Sequence, residues 1–313
     1  LPGVTLKKDL TGILDLKRET IREVLRLALQ FKTKLKRRED HRYLPGKILG
    51  MVFEKPSLRT RVTFEVGIIQ LGGHAVYLGA SEIAMGKRES VRDVAMNLSR
   101  WVDGIVARTF LHSTVKELGK SASVPVINGL SDLEHPCQAI ADFQTICEKK
   151  AASTTRIGGL KLAYLGDGNN VCNSLLLASA LLDVNMTAAC PPGYEPNGDL
   201  LALARSAAES STLTVVNEPA EAARDADVVY TDVWTSMGQE SEREKRLDIF
   251  RSFQVNQAMM GLAKKDAIFM HCMPAHRGEE VSEEVIDGAQ SVALDQAENR
   301  LHAQKAVMVE LLR

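Results

Sequence analysis

The sequence predicts an α/β protein of two side-by-side domains, each with a central parallel sheet flanked by helices, linked by interdomain helices. Three observations lead there. At 313 residues the chain is long enough for roughly two domains, each with a core of its own. Short apolar runs alternate with helical patterns at a spacing too long for hairpins, which calls for parallel βαβ units. The alternation breaks at Ala151-Ala152-Ser153-Thr154-Thr155 and resumes at Lys161. The expected division is residues 1–134, rejoined by a C-terminal helix 299–313, and residues 135–298, opening with an interdomain helix 135–149. A cleft between two such domains is the expected ligand site.

Taken in order, Thr20-Ile21-Arg22-Glu23 reads as a capping box opening the first helix, with apolar Ile21, Val24, Leu25, Ala28 and Phe31 on one face. Residues 47–53 form an apolar run that reads as a buried strand stopping at Pro56. A helix follows through Leu71 and stops at Gly72-Gly73. Strands are expected at 74–78, 104–110 and 124–128, with helices at 90–102 and 114–122 between them. The second series has strands at 161–165, 186–190, 213–216, 227–232 and 267–271, with a helix at 174–182, and closes on an amphipathic helix at 299–312.

Composition narrows the function classes. The chain is 45% hydrophobic and 25% charged, with a net charge of −1, so no global positive field recruits nucleic acid or an anionic membrane surface. No apolar run reaches the roughly 18 residues of a membrane span. The five cysteines, Cys137, Cys147, Cys172, Cys190 and Cys272, are odd in number and form no C-x-x-C pair, which favours free thiols in a reducing compartment. The expected compartment is the cytoplasm. Leu1 is not preceded by Met, which reads as a trimmed chain; a removed transit peptide would place it in the mitochondrial matrix or a plastid instead.

The most informative stretch is Ser57-Leu58-Arg59-Thr60-Arg61, at the junction between the first strand and the next helix. Free N–H groups, the positive end of a helix dipole, guanidinium groups and hydroxyls converge there, which is the chemistry of a phosphate cradle. A lone motif of this kind is more often a Ser-capped helix with solvated arginines, so the rest of the chain must decide. Leu165-Gly166-Asp167-Gly168-Asn169-Asn170-Val171 follows a strand, but Val171 stands where a dinucleotide fingerprint has its third glycine. The stronger reading is a tight turn presenting Asn carboxamides to an amino-acid ligand. His135-Pro136-Cys137-Gln138 opens a helix with Pro at a favoured position. Asp232-Val233-Trp234-Thr235-Ser236-Met237-Gly238 ends a strand and leads into a polar stretch, running through Arg246, that reads as a mobile lid. His271-Cys272-Met273-Pro274 ends another strand. With His276 it makes an awkward tetrahedral set, so no metal is expected, and Cys272 is better placed to orient an amine or a carbonyl beside Asp232. Arg300 is expected on the first turns of the last helix, as a further anion contact.

Together, S-x-R-T-R, H-P-C-Q, D-x-W-x-S-M-G and H-C-x-P, in this order and spacing, resemble the ornithine transcarbamoylase family over essentially the whole chain. The resemblance implies carbamoyl transfer from carbamoyl phosphate to the side-chain amine of L-ornithine, giving citrulline and phosphate without a cofactor. It implies that Ser57, Leu58, Arg59, Thr60 and Arg108 hold the phosphate, and that His135 and Gln138 hold the carbamoyl group. Cys272, Met273 and Arg300 complete that subsite. Asn170, Asp232, Ser236 and Met237 match the family's ornithine contacts. Arg108, His135, Asp232 and Cys272 would be the catalytic set, and trimers the expected assembly. Related amines, N-acetylornithine or putrescine, are the runner-up substrates, and a nucleotide-dependent oxidoreductase is the alternative from another class. One departure stands out: the family usually has Gln or His at the position of Ala84, reaching a neighbouring subunit's site, so Lys87 or Arg88 must replace that contact or it is absent.

Overall fold

The computed structural model describes residues 9–83, 85–86, 88–152, 154–235 and 240–313. Chain contacts divide it into two compact units, Leu1–Cys137 with Arg300–Arg313, and Gln138–Asn299.

The first unit runs α1 (Arg18–Lys36), β1 (Ile48–Phe53), α2 (Leu58–Gln70), β2 (His74–Gly79), α3 (Ala80–Ile83), α4 (Val91–Leu98), β3 (Gly104–Arg108), α5 (His112–Ser121) and β4 (Val126–Leu130). α6 (Pro136–Lys150) carries the chain into the second unit. There follow β5 (Lys161–Leu165), α7 (Asn170–Leu182), β6 (Asn185–Ala189), α8 (Gly198–Ala207), β7 (Leu213–Val216), α9 (Pro219–Ala223) and β8 (Val228–Thr231). The series ends with α10 (Arg243–Phe250), α11 (Gln257–Met260), β9 (Ile268–His271), α12 (Glu283–Ile286) and α13 (Ala293–Leu312). Both sheets are parallel, in the orders β2-β1-β3-β4 and β7-β6-β5-β8-β9. Their strands are apolar almost throughout, as parallel sheets with helices packed on their faces require, although β2, at the edge of the first sheet, is only partly buried. In the first unit Val52, Ile105 and Val126 pack under Val94, Leu98, Val115 and Leu118. In the second, Leu165, Val229 and Phe269 meet Ala222, Met260 and Val285.

Strand order and register aim the motifs. From β1 the chain steps to β2 on one side and then crosses to β3 on the other, which makes the β1/β3 boundary a topological switch point. Phe53 is in register with Arg108 there, so residues 54–57 leave the sheet beside the Arg108 side chain. The second sheet has its switch point between β5 and β8, where Leu165 pairs with Thr231. Thr231 also pairs with His271 of β9. Consequently the turn after β5, Asp232 after β8 and Cys272 after β9 all emerge at one sheet edge.

Three expectations need correction. α1 starts at Arg18 with Lys17 as its N-cap and no side-chain cap, so Thr20 lies inside the first turn and makes no capping box. The Ile21 N–H already donates to the Lys17 carbonyl, and Glu19 supplies the acidic residue that favours this end. α13 starts at Ala293, six residues before the expected Asn299, so Arg300 is two turns in and owes nothing to the helix N-terminus. The expected lid does not extend to Arg246. That residue is buried on α10, paired with Asp167 at 2.5 Å and set over the rings of Tyr194 and Phe250. An arginine so enclosed anchors its segment. Ser236, Met237, Ala84 and Lys87 lie outside the described residues. Among the described residues, no helix is long and apolar enough to cross a membrane.

Candidate functional site

The site residues fall into two groups, one in each unit. In the first, Ser57 caps α2, its Oγ accepting the Thr60 N–H at 3.2 Å. That cap fixes the first turn, worth about 1 kcal/mol in comparable helices. It leaves the Leu58 side chain out in solvent and Arg59 half-buried while Thr60 is buried. Onto the Thr60 hydroxyl converge Arg108 Nη1 at 3.4 Å and Arg300 Nη2 at 3.2 Å. Two buried guanidinium groups therefore share one neutral acceptor, and the buried Arg108 Nε has no hydrogen-bond partner among the described residues.

Charge repulsion is built into this cluster. Burial, then Arg300 and Arg59, push the Arg108 pKa down to about 10. Lys55 is lowered by burial and by Arg108. His135, immediately before α6 and 5% exposed, is held well below the usual imidazole range by burial and by Arg300, Arg108, Lys55 and Arg59. It is a neutral imidazole at physiological pH, able to donate an N–H to a carbonyl oxygen while adding no charge. The segment carrying it is tied down: Asn128 Nδ2 donates to the Thr11 carbonyl, and Glu134 Oε2 accepts the Ile13 N–H.

In the second unit the turn after β5 requires glycine twice. Gly166 has φ +134°, and a Cβ at Gly168 would lie 2.2 Å from the Pro196 nitrogen. The turn delivers Asn169, which caps α7 through Oδ1 and donates from Nδ2 to Asp232 Oδ2 at 2.7 Å. Asp232 Oδ1 accepts the Val233 N–H at 2.8 Å and the Cys272 thiol at 2.9 Å. Asp232 is thus fixed from three directions. Burial, then Asp232 itself, raise the Cys272 pKa well above its ordinary value, so the sulfur stays a thiol.

The segment after β9 is stapled from beneath. His271 Nδ1 accepts the Met273 N–H at 2.9 Å, which leaves Nε2 to carry the proton it shares with Glu280 Oε1 at 3.1 Å. Asp232, His271 and Cys272 lie close enough to share an ion, with ligand atoms within 4.8 Å. The donor set does not fit one: both His271 nitrogens are committed, and the thiol's environment opposes the thiolate that a metal needs.

The carbamoyl-P binding domain of aspartate/ornithine carbamoyltransferase matches residues 8–148, and the Asp/Orn binding domain matches residues 158–311. An ornithine carbamoyltransferase from Thermococcus kodakarensis is 54% identical over 303 residues, 96% of this chain and 95% of its own. The chain belongs to the ornithine carbamoyltransferase family. Solved members have the same fold. The ornithine carbamoyltransferase of Pyrococcus furiosus superposes with a TM-score of 0.94 at 51% identity, covering 99% of each chain. That of Giardia lamblia superposes at 0.89 with 34% identity, again over 99% of each.

Within this family fold, Ser57, Thr60, Arg108, Arg300 and His135 form one charged neighbourhood, while Asp232 and Cys272 form another. Gln138 is buried on α6, where its Nε2 donates to Asp142 Oδ1 at 2.7 Å. Met273 is half-buried beside its cis bond to Pro274. The carboxamide that bonds Asp232 belongs to Asn169, with Asn170 forming the first residue of α7. Sequence reasoning also passed over Lys55, whose position two residues before Ser57 was the available signal. It missed Asp142, Tyr230 and Gln296, buried polar residues whose burial carries no signal in linear sequence.

Proposed function

We propose that this chain is an ornithine carbamoyltransferase, moving the carbamoyl group of carbamoyl phosphate onto the side-chain amine of L-ornithine to give L-citrulline and phosphate. Residues 1–134 with residues 299–313 take carbamoyl phosphate, and residues 135–298 take ornithine. The observation that carries the reading is the pair of buried guanidinium groups meeting on the Thr60 hydroxyl, a positive site that a phosphate dianion would neutralise.

Ser57, Leu58, Arg59 and Thr60 hold the phosphate with Arg108 and Arg300, and charge building on the leaving phosphate is stabilised by the same cations. Neutral His135 donates to the carbamoyl oxygen, Gln138 orients the carbamoyl group, and Cys272 and Met273 close that subsite. Asp232 and Cys272 orient the amine, with Asn170, Ser236 and Met237 as further ornithine contacts. Ornithine's amine, with a lysine-like pKa of roughly 10.4, arrives protonated and must be neutralised before it attacks. The departing phosphate is the proton acceptor. A thiol held protonated beside Asp232 has no covalent part in this route.

The decisive assay offers carbamoyl phosphate with ornithine, N-acetylornithine or putrescine and identifies the product. Citrulline from ornithine, at a kcat/KM well above that for the other two amines, supports the reading. No citrulline, with turnover of another amine, refutes it. Homotrimers agree with exposed Leu58, Val62 and Ile69 on α2 and Val76 on β2, an apolar surface suited to another copy of the chain. Light scattering at working concentration tests this. The five free thiols agree with a reducing compartment such as the cytoplasm.

A further inference from the structure

Beneath the two motifs of the second unit lies a buried polar network that the proposed chemistry does not use. Asp142 on α6 is fully buried. Its Oδ1 accepts from Gln138 Nε2 at 2.7 Å and from Gln296 Nε2 at 2.7 Å, and its Oδ2 accepts the Tyr230 hydroxyl at 3.0 Å. Tyr230, on β8 two residues before Asp232, adjoins the Cys272 thiol. Gln296, from α13, donates to the Tyr230 oxygen at 3.1 Å, and its Oε1 accepts the His271 N–H at 2.9 Å. One carboxylate therefore connects Gln138 to the strand end that presents Cys272, and the connection continues through the thiol to Asp232 and Asn169.

We propose that Asp142 and Tyr230 are positioning residues, a buried carboxylate and phenol that hold Gln138 and Cys272 in the orientations the transfer needs. The inference rests on the carbamoyltransferase reading and adds residues to it. Two features make the network a device for orientation. Asp142 accepts from two carboxamide nitrogens that can only donate, so both Gln138 and Gln296 are fixed in amide orientation. Burying four polar side chains in an otherwise apolar layer gains little stability over apolar packing, whereas a satisfied network selects one arrangement. The phenol oxygen lies beside the thiol, so removing it takes away that support while the ring still fills its space.

The test is a double-mutant cycle between Tyr230→Phe and Cys272→Ala, with kcat and both KM values measured for each protein and folding checked by thermal denaturation. For a residue acting through the thiol, Tyr230→Phe lowers kcat by about 10-fold in the parent chain and by less than about 2-fold once the thiol is gone. Equal losses in the two backgrounds, or no loss in the parent, overturn the proposal, since a purely structural role is indifferent to Cys272. Asp142→Asn should raise the KM for carbamoyl phosphate as well as lowering kcat, because a donor then faces Gln138. If that variant does not fold, the Tyr230 cycle decides alone. Failure of the underlying reading looks different: the unaltered chain then carbamoylates another amine, and the cycle is run on that amine.

Discussion

Replacing Arg108 with methionine should do two opposite things. In the ligand-free chain this arginine is a cost, because burial and the Arg300 and Arg59 charges push its pKa down from the usual guanidinium range to about 10. A lowering of that size corresponds to about 3 kcal/mol of penalty on the charged form. The sign follows from linkage. The folded value lies below the unfolded one, so the penalty is complete at neutral pH and is relieved only as pH rises past about 10. Methionine removes the charge, keeps most of the stem, and forfeits one hydrogen bond to Thr60, worth about 1 kcal/mol. The net expectation is a ligand-free chain more stable by about 2 kcal/mol. On the proposed function the same change removes a cation that stabilises the transferring group, so kcat/KM should fall by about 100- to 1000-fold. Stabilisation by carbamoyl phosphate should shrink with it. Chemical denaturation without ligand, thermal shift with carbamoyl phosphate and steady-state kinetics read the three quantities. A variant that is destabilised when empty and still stabilised by carbamoyl phosphate as strongly as the parent would show that Arg108 is an ordinary structural arginine.

The remaining predictions concern single groups. Cys272→Ala should retain measurable turnover, lowered by about 10- to 100-fold, because the sulfur orients and does not attack; complete loss with intact folding and ligand binding would require a covalent role. His135 is neutral in the fold, with its pKa well below the unfolded value, so it contributes stability above about pH 6.5 that is lost as pH falls below it. His135→Gln should therefore lose less stability than the parent between pH 7 and 5, and equal losses in denaturation series would contradict the assignment. Arg246→Ala strands buried Asp167 and should cost about 3–5 kcal/mol by denaturant titration, an effect of less than 1 kcal/mol placing Arg246 on a solvated surface. Ala84→Gln should tighten carbamoyl phosphate binding if the family's contact from a neighbouring subunit is missing here; unchanged affinity would show that it is not missed.

The sheets were legible because parallel strands buried on both faces leave continuous apolar runs, and all nine expected runs correspond to strands within a few residues. Element ends were less legible where the cap is not a side chain. α1 begins at Arg18 after Lys17, an N-cap without a capping side chain, so Thr20 drew attention to the wrong turn. α13 begins among polar residues whose burial comes from tertiary contacts: Asn299 and Gln296, fully buried, meet Thr145 and Asp142. The cradle residues could be named because a strand-to-helix junction concentrates donors in consecutive positions. Asp142 and Tyr230 could not, since a carboxylate inside a helix and a phenol inside a strand look like a surface residue and a core residue until their partners are known. Arg246 was misread for the converse reason, as part of a charged stretch that proves to include one enclosed member.

The placement of α13 has a consequence for biosynthesis. Its last residues belong to the first unit, where Met308 and Lys305 pack against Gly67, Leu312 against Gly104, and Arg300 reaches Thr60. The first unit emerges from the ribosome early, yet it cannot close its core until translation has passed residue 312. Until then α2 and β3 lack their final neighbour. A premature stop anywhere in the second unit therefore damages the first as well, leaving Thr60 and Arg108 without Arg300 and the first core without its closing helix.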